Sequence, residues 1–230
     1  MKTFAIVLLA GSSTRFSSET KKQFFEINGK PVVFYSIDAF NKSKLIDEII
    51  LVTAKEDIER VKEFAKENNF NKVKNVVVGG SVRQESVRNG LDAIDEKDGF
   101  VLIHDGARPL VDEDTISSLI NALDKFDGVS PAIKMVDTIV KANENGEISS
   151  FEDREQYFRI QTPQAFKLEL IKKAHRDFAS EAMTDDLQLI KLLNKKVGII
   201  PGKEQLMKIT KLEDTHAIEA YIEQNEHLQN

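Results

Sequence analysis

Short apolar, mostly β-branched runs alternate with longer stretches of helical spacing along the first half of the chain. Residues 4–9, 48–53, 73–78 and 100–104 are runs of this kind. With little polar alternation they predict strands buried on both faces, as in a parallel sheet. Between them, residues 31–41, 55–68 and 81–94 carry apolar side chains at helical spacing, and Pro31 suits a first helical turn. A helix over 112–126 and a strand over 129–133 continue the pattern. Such alternation implies right-handed βαβ crossovers. The fold class expected is α/β: a Rossmann-like, doubly wound, mostly parallel sheet with ligands bound beyond the carboxyl ends of its strands.

The pattern changes after Met135. Residues 136–140 and 156–161 read as two strands joined by the polar stretch 141–155, which contains Asn145-Gly146, a strong turn signal. This predicts a β-hairpin arm over about 136–158 that projects from the domain. A lone hairpin is marginal in water, so the arm is expected to pack on something, plausibly a second subunit. Helices over 167–178 and 185–193, strands over 197–201 and 207–210, and a closing helix over 212–228 complete the reading. No linker, repeat or low-complexity segment interrupts it, so one domain, 1–230, with an arm is expected.

Composition narrows the class. A chain of 230 residues with 41% hydrophobic content supports a sizeable core, and 30% charged residues describe a water-facing surface. The net charge of −6, with acids and bases mixed, argues against a nucleic-acid-coating surface. There is no cysteine, hence no disulfide framework, thiolate metal site or thiolate nucleophile. The short apolar run at the N-terminus reads as a strand rather than a signal peptide, and no segment approaches transmembrane length. A cytoplasmic enzyme with no nucleic-acid or membrane partner fits all of this.

Candidate chemistry gathers at the predicted strand ends. The first strand breaks into Ala10-Gly11-Ser12-Ser13-Thr14-Arg15, followed by Lys22-Gln23. Small residues let backbone approach a ligand, free amides can line up on phosphate oxygens, and two cations add full charges. That combination suits a nucleoside triphosphate attacked at its α-phosphorus. It is neither a Walker loop nor Gly-x-Gly-x-x-Gly, and a plain strand-to-loop transition with surface cations would look the same. After the third strand, Gly79-Gly80-Ser81-Val82-Arg83-Gln84-Glu85-Ser86 offers paired glycines and a serine early on a helix; the alternative is a flexible loop capped by Ser81. After the fourth comes His104-Asp105-Gly106-Ala107-Arg108-Pro109. An Asp there is placed to hold Mg²⁺ against triphosphate oxygens; the alternative is a turn cap, with His104 a satisfied core histidine and Arg108 an ion-pair partner. Thr162 to Phe166 reads as a polar turn, and Thr184-Asp185-Asp186 as an N-cap with acids in the first turn. Lys208 stands alone in an apolar stretch and should face a pocket or solvent. Asn28-Gly29-Lys30-Pro31 ends like a P-loop but has Pro where Ser or Thr is required, so it reads as a turn.

Taken in order, these segments resemble the 2-C-methyl-D-erythritol 4-phosphate cytidylyltransferases of the non-mevalonate isoprenoid pathway, nearly end to end. The resemblance runs through Leu9-Ala10-Gly11, Arg15, Lys22-Gln23, Gly79-Gly80 with Arg83 and Ser86-Val87, the stretch from His104 to Pro109, Asp137-Thr138, Arg154, Gln161-Thr162-Pro163-Gln164, Thr184-Asp185-Asp186 and Lys208-Ile209-Thr210. It implies the fold, CTP and methylerythritol phosphate as substrates, Mg²⁺, and a homodimer whose arm completes the partner's site. By position, it makes Arg15 and Lys22 the groups that stabilise the transition state, and sets Gly11, Gly80, Ser86 and Ala107 around cytosine and ribose. Asp105 would take the metal, Thr138 and Arg154 would bind the acceptor, and Lys208 would orient the acceptor phosphate. Ala10, Arg83, Arg108, Thr162, Thr184 and Asp185 are further substrate-binding candidates within the matching motifs. Three places depart from the family: Lys21 where a Pro commonly precedes the lysine, Leu206-Met207 for the usual Asn-Ile, and Lys211-Leu212 without the customary Pro. Ribitol 5-phosphate cytidylyltransferases share most motifs but tend to carry Ala-Val-Arg-Pro where this chain has Gly106-Ala107-Arg108-Pro109. A non-catalytic nucleotide-binding module would not need Arg15, Lys22 and Lys208 together.

Overall fold

The structure is a computed structural model that describes residues 1–11, 16 and 21–229. Strand β1 (Thr3–Leu8) leads through a small hairpin, β2 (Glu26–Ile27) and β3 (Lys30–Pro31), into α1 (Val32–Lys42). Asn28 and Gly29 both have positive φ, 50° and 70°, which is the two-residue turn a tight hairpin favours. There follow β4 (Glu48–Thr53), α2 (Ile58–Glu67), β5 (Val73–Val78), α3 (Arg83–Asp92), β6 (Phe100–Asp105), α4 (Glu113–Ala122) and β7 (Gly128–Lys134). The second half contains β8 (Ile139–Ala142), β9 (Ile148–Glu152), β10 (Phe158–Ile160), β11 (Gln164–Lys167), α5 (Leu168–Asp177), α6 (Asp186–Leu192), β12 (Val197–Pro201) and α7 (Asp214–Gln229). Short 3₁₀ turns at Lys22–Phe24, Lys55–Asp57, Arg154–Gln156 and Glu204–Leu206 link some of these.

The expected α/β sheet forms. β5, β4, β1 and β6 lie side by side and parallel in that order, so the chain winds outward from β1 in one direction and then returns to its other side. The switch in direction falls between β1 and β6, where α/β sheets place their ligands. Beyond β6 comes β11, antiparallel to both β6 and β7. Val129 pairs with Ala165 on one edge of β7 and Gly198 on the other; Ala132 likewise pairs with Ile160 and Pro201. β10 and β11 therefore lie end to end along one edge of β7, and β12 runs parallel along the other. Alternate residues of each central strand enter opposite cores, as period-two geometry requires. Ala5, Val7, Ile49, Leu51 and Leu102 pack with α1, α2 and α4, and Phe4, Ile6, Ile50, Val52, Val101 and Ile103 with α3, α5 and α6. Each large side chain so buried contributes about 1.5–3 kcal/mol relative to exposure. No helix among the described residues is long and apolar enough to cross a membrane.

Three expectations and one alternative are corrected. Residues 136–140 and 156–161 do not pair with each other. The hairpin is β8 with β9, built around Gly146 at φ +82°: a tight Asn-Gly turn pairs the residues flanking it, and these include 148–152, whose polarity reads as linker. β10 instead hydrogen-bonds to β7, on the edge that β7 shares with β11. Residues 164–167 form a strand rather than part of a turn, because Ala165 and Phe166 drop into opposite cores while Gln164 donates its buried amide to Asp185 at 2.7 Å. Residues 207–210 form no strand: Ile209 N–H meets Ala107 O at 2.9 Å without a ladder. Ser81 does not cap α3, whose N-cap is Val82.

Candidate active site

A cleft of about 320 Å³ opens beyond the carboxyl ends of β1 and β6, a volume suited to a small ligand. Its floor is Leu8, Leu9, Ala10 and Gly11; the β5–α3 turn forms one wall, Asp105 and Ala107 another, and Lys22, Gln23 and Lys208 close it. The buried Gln23 amide donates to Leu9 O at 2.7 Å and so ties the segment carrying Lys22 to the strand end. The β5–α3 turn presses on the same floor. A Cβ on Gly79 would fall 2.5 Å from that of Ala10, and one on Gly80 2.1 Å from that of Glu85, so both positions need glycine for close approach. Among the described residues, nothing lies within 4 Å of a Cβ built on Gly11. Ser86 Oγ accepts from Gly80 N–H at 3.0 Å and donates to Val82 O at 3.2 Å, while Ser81 N–H and Oγ–H both donate to the Glu85 carboxylate at 2.7 Å. Those bonds hold the Glu85 carboxyl below the usual range.

The charges converge on Asp105, at the tip of β6. Its Oδ2 accepts from Lys208 Nζ at 2.7 Å and its Oδ1 from Arg83 Nε at 3.3 Å, and Arg108 Nε stands 3.9 Å away. Burial pushes the Asp105 carboxyl up, but Arg83 and Lys208 outweigh it and hold it well below the ordinary carboxylate range. Directly behind, His104 is fully buried, with Nε2 bonded to Arg108 O at 2.8 Å and Nδ1 to the Thr162 hydroxyl at 3.2 Å. The same hydroxyl accepts from Asp105 N–H at 3.0 Å, so it donates to Nδ1 and the ring proton sits on Nε2. Burial drives the His104 pKa down to about 4.

Among the described residues no group of three or more His, Asp and Glu side chains gathers as a metal cage, and Asp105 is the one carboxylate lining the cleft. A single carboxylate beside a cleft lined by cations and backbone fits Mg²⁺, which takes most of its ligands from phosphates and water.

The family model for 2-C-methyl-D-erythritol 4-phosphate cytidylyltransferase matches residues 3–224. The chain belongs to this family of nucleotidyltransferases. It is 41% identical over 224 residues to the enzyme of that name from Clostridium acetobutylicum, covering 96% of this chain and 97% of the relative. It is 39% identical to the one from Caldanaerobacter subterraneus subsp. tengcongensis, covering 96% and 99%. Among solved structures, the 4-diphosphocytidyl-2C-methyl-D-erythritol synthase from Anaerococcus prevotii superposes with a TM-score of 0.84 at 32% identity, covering 96% of this chain and 98% of that one.

The cleft brings together most of the residues that the family motifs single out: Ala10, Gly11, Lys22, Gly80, Arg83, Ser86, Asp105, Ala107 and Lys208 all line it. Arg15 lies outside the described residues. Arg108 and Thr162 stand behind the wall, where Arg108 donates to Leu206 O at 2.7 Å and Thr162 braces β6. Asp185 is used structurally, capping α6 through Leu187 N–H at 2.9 Å and accepting from Gln164. Thr184 borders a neighbouring groove. Thr138 and Arg154 are exposed on the arm and do not line this cleft; Arg154 donates to Val136 O at 2.7 Å. Of the departures from the family, Lys21 turns to Asp57 and Glu56, at 2.5 and 2.8 Å, and Leu206 is fully buried in the core. Sequence reasoning missed Asp186 and His175. Asp186 takes Arg83 Nη1 at 2.6 Å and His175 Nε2 at 3.0 Å; its signal was the second acid of Thr184-Asp185-Asp186, which also reads as an ordinary first-turn charge.

Proposed function

We infer that the protein transfers CMP from CTP to 2-C-methyl-D-erythritol 4-phosphate, giving 4-diphosphocytidyl-2-C-methyl-D-erythritol and pyrophosphate, as a cytoplasmic enzyme of isoprenoid synthesis. The observation that carries this reading is the convergence of Lys22, Arg83 and Lys208 on a backbone-lined cleft at the β1–β6 switch point, in a chain of this family. The acceptor is a phosphate monoester, largely dianionic near neutrality because its second pKa is about 6. It attacks the α-phosphorus directly: one phosphorus–oxygen bond forms, the α–β bridging bond breaks, and pyrophosphate leaves with the electron pair. No enzyme nucleophile or proton shuttle is required, and the work is to hold two polyanions in line and neutralise charge as it moves.

Ala10, Gly11, Gly80, Ser86 and Ala107 receive the nucleoside, where glycine backbone permits close approach. Lys22, with Arg15, meets the triphosphate and stabilises the charge that develops as pyrophosphate departs. Lys208, placed by Asp105, orients the acceptor phosphate. Asp105 would hold a Mg²⁺ beside the triphosphate, and the ion would supply further neutralisation of its charge. The acceptor's remaining contacts come from Thr138 and Arg154 on the arm of a second copy. In support, the arm leaves large apolar side chains uncovered, Val136 at 74% and Phe151 at 73% exposure, which isolated chains rarely tolerate in a cluster, and arm exchange between identical chains is a common route to a two-fold dimer.

A pyrophosphate-release assay with CTP, Mg²⁺ and either polyol phosphate tests the reading. Release with methylerythritol phosphate is expected. Release only with ribitol 5-phosphate would change the acceptor, and CTP binding without turnover would make the chain a nucleotide-binding module.

A further inference from the structure

Two side chains that the proposed reaction does not use continue the charged network away from the cleft. Arg83 lies between two carboxylates: its Nε reaches Asp105 at 3.3 Å, and its Nη1 reaches Asp186 at 2.6 Å. The second oxygen of Asp186 accepts from His175 Nε2 at 3.0 Å. Asp186 is 1% exposed and His175 2% exposed, so neither touches a ligand in the cleft. Asp186 is the first residue of α6 and His175 sits on the buried face of α5. These helices pack in one core with α3, which carries Arg83.

The unequal distances decide what Asp186 does. A guanidinium is a rigid fork, so fixing one N–H fixes the direction of the others. The shorter bond to Asp186 anchors the Nη1 side of that fork and leaves only the longer Nε bond, at 3.3 Å, to Asp105, whose other oxygen takes Lys208 at 2.7 Å. Without the rear carboxylate, Asp105 is the remaining carboxylate that Arg83 hydrogen-bonds among the described residues, and Arg83 would be drawn onto it. A buried carboxylate is itself costly unless both oxygens are satisfied, and Arg83 and His175 supply one donor to each. Apolar packing would stabilise the α5–α6 contact at least as well as a buried, hydrogen-bonded carboxylate, so stability alone does not account for the arrangement.

We propose that Asp186, oriented by His175, is a positioning residue that fixes the Arg83 guanidinium, limits it to one long bond with Asp105 and presents its remaining N–H donors to the nucleotide. The inference rests on the CTP-using cleft described above. The test is steady-state kinetics, varying CTP and acceptor separately, on Asp186→Asn, His175→Leu, His175→Gln, Arg83→Ala and the double variant Arg83→Ala/Asp186→Asn. Asp186→Asn and His175→Leu raise the KM for CTP about tenfold, the size expected for loss of a charge-assisted hydrogen bond, and leave the acceptor KM within about twofold. His175→Gln, whose amide can donate from near the place of Nε2, restores the CTP KM. In the Arg83→Ala background, Asp186→Asn adds no further change, because the two act as one unit. A CTP KM that is unaffected in folded variants, or that rises additively in the double variant, overturns the proposal. Should Asp186→Asn fail to fold, the split between His175→Leu and His175→Gln decides alone. Absence of CTP turnover in the unmodified protein would instead overturn the functional reading, before any variant is compared.

Discussion

Asp105 keeps its charge in a buried position because Lys208 and Arg83 each face one of its oxygens, and His104 keeps the strand end in place by bonding through both ring nitrogens. His104 gives the fold a pH dependence of definite sign. Its pKa falls from 6.5 to about 4 on burial, so the unfolded chain binds more protons between those values. The stability it contributes is complete above about pH 6.5 and is lost as the pH falls toward 4, with a slope approaching about 1.4 kcal/mol per pH unit. Urea denaturation at pH 7.5 and at steps down to 4.5 should show this loss, and His104→Gln should flatten it. The role proposed for Lys22 concerns the reaction rather than the fold. Lys22→Ala should lower kcat roughly 10²–10³-fold, the scale for removing one group that stabilises a transition state, with a smaller effect on the CTP KM; near-normal turnover would remove Lys22 from that role. The sequence revealed these cleft residues because each follows a buried strand or a glycine pair. It hid Asp186 and His175, since a buried hydrogen bond between two helices leaves no local pattern, and only the packing of α5 on α6 brings the pair to Arg83.

The helices and strands vary in how plainly their sequences announce them. β1, β4, β5 and β6 are mostly apolar runs and read directly. β11 does not, because Gln164 and Lys167 give it the polarity of a turn, and its strand character comes from lying between β6 and β7. The β8–β9 hairpin was legible at its Asn145-Gly146 turn but not in its second strand, whose serines are exposed or half-buried and carry no apolar face. The stretch 207–210 misleads in the opposite sense: Ile209 is buried against α7 and the adjoining loop rather than in a sheet. The β5–α3 turn is the element whose geometry is most exacting. Gly79→Ala places a methyl group 2.5 Å from Ala10 Cβ, so the turn must lift from the β1 floor. A cost of about 1–3 kcal/mol is expected, measured as a lower urea midpoint, together with a raised KM for CTP.

For the whole molecule, the proposed arm exchange makes a prediction that no single chain can satisfy. Arg154→Ala and Lys22→Ala chains, each inactive alone, should regain activity when unfolded and refolded together, because one site of the mixed dimer then has both residues. A mixture as inactive as its parts would confine each site to one chain. The arm's existence is legible from the break in α/β alternation after Met135, whereas its destination is not, because a surface complementary to a second copy leaves no periodic trace. The two sides of the chemistry also rest on very different foundations. Asp105 is carried by β6, which is paired on both edges and buried along most of its length. The arm is a two-stranded sheet that adds no member to the described core clusters. Local opening follows burial: in hydrogen–deuterium exchange of the isolated chain, amides of 101–104 should exchange only with global unfolding, and those of 139–142 far sooner. With the arm holding the acceptor as proposed, mild urea should make the enzyme fail in stages, its grip on the acceptor going first while it still recognises the nucleotide.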